Sequence, residues 1–474
     1  MRSCRWLGPC NAADPERMLT PLFDRLEAWQ NARIARPWLG PMPITRGMVL
    51  AILMMALIAV FANVKVRYDQ GQIWKANFEN SELSTAMSFS TADAPYFLGI
   101  AAEVKKGLSE ENFQRKRIYP NKHTPLQQHG SDAQHSNTPP LSSLIVLLSK
   151  SSSPRDLLKA GNTILIISAG LTACMIILAF GAAGYWLEGA VAAVGGGLSS
   201  AYLVRSSFGR IDTDQLNLGL MYLIFGLITI SARSKTSFSA IIWAFAAGAT
   251  ASFFMAWYGK PELIWLALIA YLWLLFALRR NFKIALICLL LFYFLAPVTL
   301  PNPFSSNYVK ENIMHGGFVF PNAFHTITEA APVSIVKILA SAAGSVEMGL
   351  VCLFGLGLWA VRHPVTAFAY SPLMGFWLLN FVIGNRAVFY SAPIMWFGAA
   401  FLFTSVTRMM THVVAPKLAG PFSINNAFAV VSARQSASIA GAVLAMIVAY
   451  VNSPTDYVPR PSFPEKVLNG LAKL

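Results

Sequence analysis

Four acidic side chains and one arginine carry the chemistry that the sequence suggests. Asp212 and Asp214 form a D-T-D segment, whereas Asp93, Glu329 and Arg386 lie far from it along the chain. Carboxylate oxygens are the ligands that Mg²⁺ and Mn²⁺ prefer, and such ions keep positions open for substrate. A bound cation would stabilise the charge on a departing phosphate, and an arginine would add bidentate contacts to it. If the fold brings them together, these five residues form a metal-dependent site for phosphate chemistry.

Each of these residues also has an ordinary structural interpretation. Asp214 directly precedes an apolar run and could cap a helix, and Asp93 precedes Ala-Pro, a common helix start. Glu329 lies shortly before another apolar stretch and could act in the same way. Arg386 lies beside a predicted helix end, where an arginine often extends its side chain to the membrane interface. The chemical interpretation therefore depends on where the fold positions the five residues.

The composition is that of a membrane protein. Of 474 residues, 55% are hydrophobic and 12% are charged, which is half of the roughly 25% that is usual for a soluble domain. This excludes a soluble protein, and the many apolar residues exclude a disordered chain. The five cysteines have no C-x-x-C spacing. We interpret them as thiols without a metal or redox role.

Continuous apolar runs predict about eleven transmembrane helices, because a bilayer core requires about 20 apolar helical residues. The runs lie at roughly 47–64, 161–180, 183–204, 215–231, 238–256, 262–278, 284–300, 342–361, 365–383, 388–407 and 429–450. The stretch 332–361 fits either one tilted helix or a helix preceded by an interfacial one. The sequence therefore predicts an all-α polytopic membrane protein.

Basic residues in the short loops orient these helices. They are Arg233, Lys235, Arg279, Arg280, Lys283, Arg362, Arg408 and Lys417, and all fall on the side that the positive-inside rule makes cytoplasmic. We predict a cytoplasmic segment at 1–45, a transmembrane domain at 46–452, external loops at 65–160 and 301–332, and the start of an external domain at 453–474. On this topology the four acids and Arg386 all lie on the external face.

Four segments together resemble a known family. The run 205–214, R-S-S-F-G-R-I-D-T-D, resembles the R-[ST]-x-x-G-x-x-D-T-D segment of the catalytic subunit of oligosaccharyltransferase, the enzyme of protein N-glycosylation. The segment 326–329, T-I-T-E, resembles the T-I-x-E motif of its bacterial and archaeal single-subunit members. The segment 91–96 resembles the first acidic motif of that family, and 384–386 lies where the family has an arginine. The order and spacing of the four segments match across nearly the whole chain.

The resemblance implies a fold, an activity and a set of residue roles. The fold would be the C-type glycosyltransferase fold with about 11 to 13 transmembrane helices. The activity would be metal-dependent, inverting transfer of an oligosaccharide from a polyprenyl-pyrophosphate carrier to the asparagine amide of an N-x-[ST] sequon. Asp93, Asp212, Asp214 and Glu329 would hold Mn²⁺ or Mg²⁺, with Asp93 and Glu329 as catalytic residues, and Arg386 would bind the donor pyrophosphate.

The resemblance also implies the setting of the enzyme. Its partners would be the lipid-linked donor, an acceptor polypeptide and membrane lipids, without nucleic acid, in the bacterial inner membrane with the site on the periplasmic face. The W-W-D-Y-G motif of the family's external domain does not occur in this sequence. We expect a fragment, a partner chain that supplies that domain, or an acceptor other than a sequon. The alternatives are another polyprenyl-phosphate-sugar-dependent transferase with a lipid or O-linked acceptor, and a transporter of lipid-linked sugars.

Overall fold

The computed structural model describes residues 46–78, 94–107, 138–259, 261–279, 281–296, 334–383, 388–419 and 424–457. Helices are the only regular secondary structure in these ranges. They are α1 (Arg46–Phe78), α2 (Ala94–Lys105), α3 (Pro140–Leu148), α4 (Pro154–Ala182), α5 (Trp186–Gly197), α6 (Ser200–Ser206), α7 (Asp214–Arg233), α8 (Ser237–Tyr258), α9 (Pro261–Leu278), α10 (Phe282–Leu295), α11 (Ile335–Ala343), α12 (Val346–Arg362), α13 (Pro364–Ile383), α14 (Val388–Ala419) and α15 (Ile424–Val451).

Every predicted apolar run coincides with a helix or with a bent pair of helices. Within the described ranges, six helices are long and apolar enough to cross a membrane, or up to eight if each bent pair counts as one span. The described parts of α9 and α10 are shorter apolar helices. The chain is therefore a multi-pass membrane protein, and the predicted all-α polytopic fold is confirmed.

The first helix is longer than the sequence predicts and continues past residue 64 to Phe78. The extension has one buried face, which includes Arg67, Gln70 and Trp74, and one exposed face. On the exposed face Lys65 and Asp69 form an ion pair at i,i+4 spacing. The extension is too polar to be recognised as a membrane span, yet its buried polar residues pack against the rest of the bundle.

Two of the predicted helices are broken. The run 183–204 forms α5 and α6, which meet at 63°, and the second break, between α11 and α12, bends by 82°. At the second break Gly344 has φ +88°, and the Ser345 hydroxyl accepts a hydrogen bond from the Met348 amide at the start of α12. Of the two arrangements predicted for 332–361, the structure has a short helix followed by a longer one. The apolar runs do not reveal either break, because the residues on both sides of each are apolar.

Glycines bring α5 into close contact with its neighbours just before the first break. A Cβ on Gly195 would lie 2.2 Å from Trp396 Cγ, and one on Gly196 would lie 2.4 Å from Pro393 Cγ. A Cβ on Gly197 would lie 2.3 Å from the Asn63 side-chain oxygen. Any larger residue would push α14 or α1 away from α5.

The helices divide into a buried centre and a lipid-facing periphery. In α7 and α14, 89% of the residues in the most apolar stretch are buried, compared with 22% in α1 and 33% in α8 and α15. In the centre the Phe180 ring stacks on the Phe397 ring at 4.3 Å between centroids. The central helices therefore support the loops at their ends, while the outer helices present apolar side chains to lipid.

Basic residues gather at one end of the bundle. Arg233, the last residue of α7, donates to the Ala183 carbonyl, and Arg279 donates to carbonyl oxygens near the end of α7. At the same end of the bundle, Arg408 and Glu188 form a buried ion pair with 3.4 Å between Nη2 and Oε1. Since α7 has 20 residues, its first residue lies roughly 30 Å from this end. Arg233, Arg279 and Arg408 are thus separated from the D-T-D segment by about the thickness of a bilayer core. The prediction that Arg408 lies in a short loop is wrong, because α14 continues through it to Ala419.

Candidate functional site

The D-T-D segment lies where α6 leads into α7. We name residues 207–214, the connection between these helices together with the first residue of α7, the acid loop. Helix α6 ends at Ser206, and the chain turns with a hydrogen bond from the Arg210 amide to the Ser207 carbonyl. Gly209 has φ +82°, a conformation that glycine adopts without strain. Asp214 then begins α7. The sequence thus positions two carboxylates at the junction of a turn and a buried helix.

Polar side chains from three helices hold the backbone of the acid loop. Gln70 in α1 accepts a hydrogen bond from the Phe208 amide at 3.0 Å, and Asn162 in α4 accepts one from the Gly209 amide at 2.9 Å. Trp257, near the end of α8, donates from Nε1 to the Thr213 carbonyl at 2.8 Å. These bonds provide partners for backbone groups of the loop and hold it against three helices.

Two glycines make room for the apolar side chains of the acid loop. A Cβ on Gly71 of α1 would lie 2.7 Å from the Phe208 ring. A Cβ on Gly161 of α4 would lie 2.6 Å from Ile211 Cδ1. The loop is therefore anchored both by hydrogen bonds and by close packing, which restricts the positions of the acids that follow.

The guanidinium of Arg67 lies beneath the acid loop and is completely buried. It donates to the carbonyls of Gly197 and Ser206, to the Ser206 hydroxyl, and to the Asn63 backbone and side-chain oxygens. Gly197 and Ser206 are the last residues of α5 and α6, where carbonyls lack partners within the helix and a positive charge is favourable. Arg67 thus connects the C-terminal end of α5 to the C-terminal end of α6, the helix that leads into the loop.

Both oxygens of the Asp214 carboxylate are engaged by side chains. Arg205 Nη1 lies 2.8 Å from Oδ2, and Asn217 Nδ2 lies 3.0 Å from Oδ1. The two side chains of the ion pair are each only 8% exposed. Arg205 also lies 5.4 Å above the centre of the Phe389 ring, at the start of α14. These contacts fix the orientation of the Asp214 carboxylate.

Asp212 is oriented by its own neighbour in the loop. Its Oδ1 accepts hydrogen bonds from the Thr213 amide at 2.6 Å and from the Thr213 hydroxyl at 3.3 Å. Thr213 is the N-cap residue of α7 and makes no side-chain capping bond, whereas the bonds that Asp214 accepts come from Arg205 and Asn217. The capping interpretation of Asp214 therefore has no support in these contacts.

The acid loop and the first turn of α7 contain oxygen atoms that fit a hard divalent cation and its bound water. Within the described ranges, Ser207 Oγ, Asn217 Oδ1 and both amide atoms of Gln215 are buried without a hydrogen-bond partner. Buried polar atoms of this kind usually contact water, an ion or a ligand. Carboxylate, amide and hydroxyl oxygens are suitable partners for Mg²⁺ or Mn²⁺ and their water.

Only part of the predicted site can be located. Asp212 and Asp214 lie together in the structure, while Asp93, Glu329 and Arg386 lie outside the described residues. The described residues contain no group of three or more His, Cys, Asp and Glu side chains that could hold a metal. Phe389, three positions after Arg386 in the sequence, packs under Arg205, so the start of α14 borders the acid loop.

The residues that support the loop were not predicted from the sequence, although one signal for them was present. Asn63, Arg67, Gln70 and Trp74 recur at spacings of four, three and four residues, which is one face of a helix. A polar stripe of this kind that continues beyond an apolar span indicates a buried polar contact. Asn162 and Trp257 carry no comparable signal, because each is a single polar group at the end of an apolar run.

No protein-family model matches the chain, and no curated protein matches it. Solved structures do. An oligosaccharyltransferase of Archaeoglobus fulgidus tethered to an acceptor peptide with the NVT sequon matches with a TM-score of 0.54 and 14% identity, over 89% of this chain and 57% of that chain. The complex of the same organism's enzyme with an inhibitory peptide and a dolichol-phosphate matches with a TM-score of 0.53 at the same identity and coverage.

The apo form of the archaeal enzyme matches with a TM-score of 0.50 and 11% identity, again over 89% of this chain. The chain spans 57% of the length of these structures. The resemblance predicted from the sequence motifs is therefore confirmed at the level of the fold. This chain has the C-type glycosyltransferase fold of the archaeal oligosaccharyltransferases.

Proposed function

We propose that this chain is the membrane part of an oligosaccharyltransferase. It transfers an oligosaccharide, with inversion, from a polyprenyl-pyrophosphate carrier to the side-chain amide of asparagine in an acceptor polypeptide. The observation that carries the proposal is the buried, Arg205-paired acid loop at one end of a bundle with the oligosaccharyltransferase fold. The archaeal structures with an acceptor peptide and with a dolichol-phosphate support the two classes of substrate.

The acid loop would hold a divalent cation at the donor. Asp212 and Asp214, together with Asp93 and Glu329, would bind Mn²⁺ or Mg²⁺, which stabilises negative charge on a leaving pyrophosphate. Arg205 and Asn217 keep the Asp214 carboxylate in one orientation, and Thr213 does the same for Asp212. Carboxylates fixed in this way need little reorganisation when charge develops. Arg386 would contact the pyrophosphate oxygens directly.

The acceptor amide requires a second kind of help. Its nitrogen is a poor nucleophile because its lone pair is delocalised into the carbonyl. Carboxylates of Asp93 and Glu329 that accept hydrogen bonds from the amide N–H groups would favour a twisted amide in which this delocalisation is lost. Such contacts lower the barrier only if they are stronger in the transition state than in the bound substrate.

The proposal includes a location for the reaction. The site would face the periplasmic side of the inner membrane, opposite the end where Arg233, Arg279 and Arg408 gather. Membrane lipids would surround the exposed apolar faces of α1, α8 and α15. A further external domain, in the same or a separate chain, would present the acceptor, because the solved structures extend well beyond the part that this chain matches.

Transfer in nanodiscs tests this proposal. The full chain is incubated with a polyprenyl-pyrophosphate-linked oligosaccharide and a fluorescent peptide containing N-x-T, with Mn²⁺ or with a chelator. We expect a glycopeptide only with the metal, and its loss in Asp212→Asn. The matched control is Asp69→Asn, since Asp69 lies in an exposed ion pair with Lys65.

The products distinguish the alternatives. A sugar found on lipid or on a hydroxyl group, with the same dependence on Asp212, identifies another transferase of this fold. Movement of the intact donor across the membrane without cleavage identifies a transporter. Metal-independent transfer, or equal activity of the Asp212 and Asp69 variants, contradicts the proposal.

A further inference from the structure

One buried glutamine joins the acid loop to the segment that follows the last helix. Gln70 in α1 is 1% exposed. Its Oε1 accepts from the Phe208 amide at 3.0 Å, and its Nε2 donates to the Tyr457 carbonyl at 3.0 Å. Phe208 and Tyr457 are far apart in sequence and are linked through this one carboxamide. Since an amide has a distinct donor and acceptor end, each bond fixes the orientation that the other requires.

The segment beyond α15, residues 452–457, which we name the exit segment, has a defined structure of its own. The Tyr457 amide donates to the Pro454 carbonyl at 3.0 Å, and the Thr455 amide donates to the Ser453 carbonyl at 2.8 Å. Its first residue, Asn452, contacts Gly344 at the break between α11 and α12, where a Cβ would lie 2.3 Å from the Asn452 carbonyl oxygen. The exit segment is therefore packed between that break and Gln70.

From these contacts we infer that Gln70 is a positioning residue that couples the exit segment to the acid loop. A displacement of the exit segment moves the Tyr457 carbonyl, which reorients the Gln70 amide and thereby shifts the Phe208 backbone. Asp212 and Asp214 follow Phe208 in the same anchored loop, so the geometry of the acids depends on whatever acts on the chain beyond Tyr457. The coupling itself is a property of the described contacts. The inference rests on the proposed function only in assigning metal binding to Asp212 and Asp214.

The test separates the two arms of Gln70 by hydrogen exchange with mass spectrometry on the full chain in nanodiscs. Tyr457→Pro removes the N–H that closes the turn of the exit segment, whereas the control Tyr457→Ala keeps the backbone bonds. Gln70→Glu keeps an acceptor for the Phe208 amide but removes the donor to Tyr457. Gln70→Met, of similar length, removes both. Gln72, exposed on the same helix, provides the matched controls Gln72→Glu and Gln72→Met.

We expect Tyr457→Pro to speed exchange of the acid-loop amides by roughly fivefold to tenfold, the factor for losing one ordinary hydrogen bond. Tyr457→Ala and both Gln72 variants should leave exchange unchanged. In the Gln70→Glu background Tyr457→Pro should have no further effect on the loop, because the coupling is already severed. If Gln70→Glu does not fold, Gln70→Met gives the same test: it should speed loop exchange by itself, and Tyr457→Pro should add nothing.

Two results would overturn the inference. One is acid-loop exchange that does not change in Tyr457→Pro, and the other is an equal increase in the Gln70 backgrounds and in the wild-type chain. Binding of Mn²⁺, followed by its electron paramagnetic resonance signal, provides the second readout, and we expect Tyr457→Pro to weaken it by roughly fivefold. A chain that shows the exchange coupling but binds no Mn²⁺ contradicts the proposed function and leaves the coupling intact.

Discussion

Replacement of Arg205 by methionine tests the central feature of the acid loop. The Arg205 guanidinium and the Asp214 carboxylate are 2.8 Å apart and each side chain is 8% exposed. At an effective dielectric constant of 20, two unit charges at this distance attract each other by about 6 kcal/mol. Removal of one partner leaves the other buried and unpaired, and we therefore expect Arg205→Met to lower the free energy of unfolding by about 3 to 5 kcal/mol.

A double-mutant cycle gives this prediction its control. Unfolding is followed in mixed micelles with increasing denaturing detergent for Arg205→Met, Asp214→Asn and the double variant. The double variant should be much less unstable than the sum of the two, because it contains no unpaired charge. The exposed pair Lys65 and Asp69, put through the same cycle, should show no measurable coupling. Additivity of Arg205→Met and Asp214→Asn to within about 0.5 kcal/mol would refute the reasoning.

Three further predictions follow from the contacts of the bundle. Arg67→Met should lower the unfolding free energy by at least about 3 kcal/mol, because two helix ends lose their buried cation, and it should speed hydrogen exchange at the junction of α5 and α6. Gly196→Ala should lower the free energy of unfolding by about 1 to 3 kcal/mol, because the added methyl group overpacks the contact with Pro393. Gly357 has open space around it, so the control Gly357→Ala should leave stability unchanged. Thermal unfolding of the two variants provides the comparison. Glu188→Gln should destabilise the chain by leaving Arg408 buried without its anion, but Mn²⁺ binding, measured by its resonance signal, should stay unchanged because the pair lies at the opposite end.

The fold could be predicted because its signal is distributed over hundreds of residues. Each apolar run must form a helix in a bilayer, because its backbone N–H and C=O groups have no other hydrogen-bond partners there. The bend between α5 and α6 could not be predicted in this way, because it lies within one continuous apolar run of the sequence. An apolar run predicts that a helix forms but does not indicate the residue at which the helix breaks.

The candidate site was only partly accessible to sequence reasoning. The D-T-D spacing indicates two neighbouring acids, and the structure places Asp212 in the connection between α6 and α7 and Asp214 at the first residue of α7. That Asp214 is paired with Arg205 and bonded to Asn217 is a contact between α6 and α7, which spacing alone does not distinguish from helix capping. Asn162 and Trp257 reach the loop from α4 and α8, so their roles depend on helix packing that no local pattern records.

The division between a crowded centre and an open periphery also bears on how the sequence of this fold can drift. On the outer faces of α1, α8 and α15 one apolar side chain can replace another in contact with lipid, so substitutions there change the stability of the fold little. At Gly195, Gly196 and Gly197 the constraint is volume, and in the acid loop it is the direction of single hydrogen bonds. Few positions are constrained in these ways, and they are scattered along the chain. A protein built like this can share its fold with a solved structure at only 14% sequence identity.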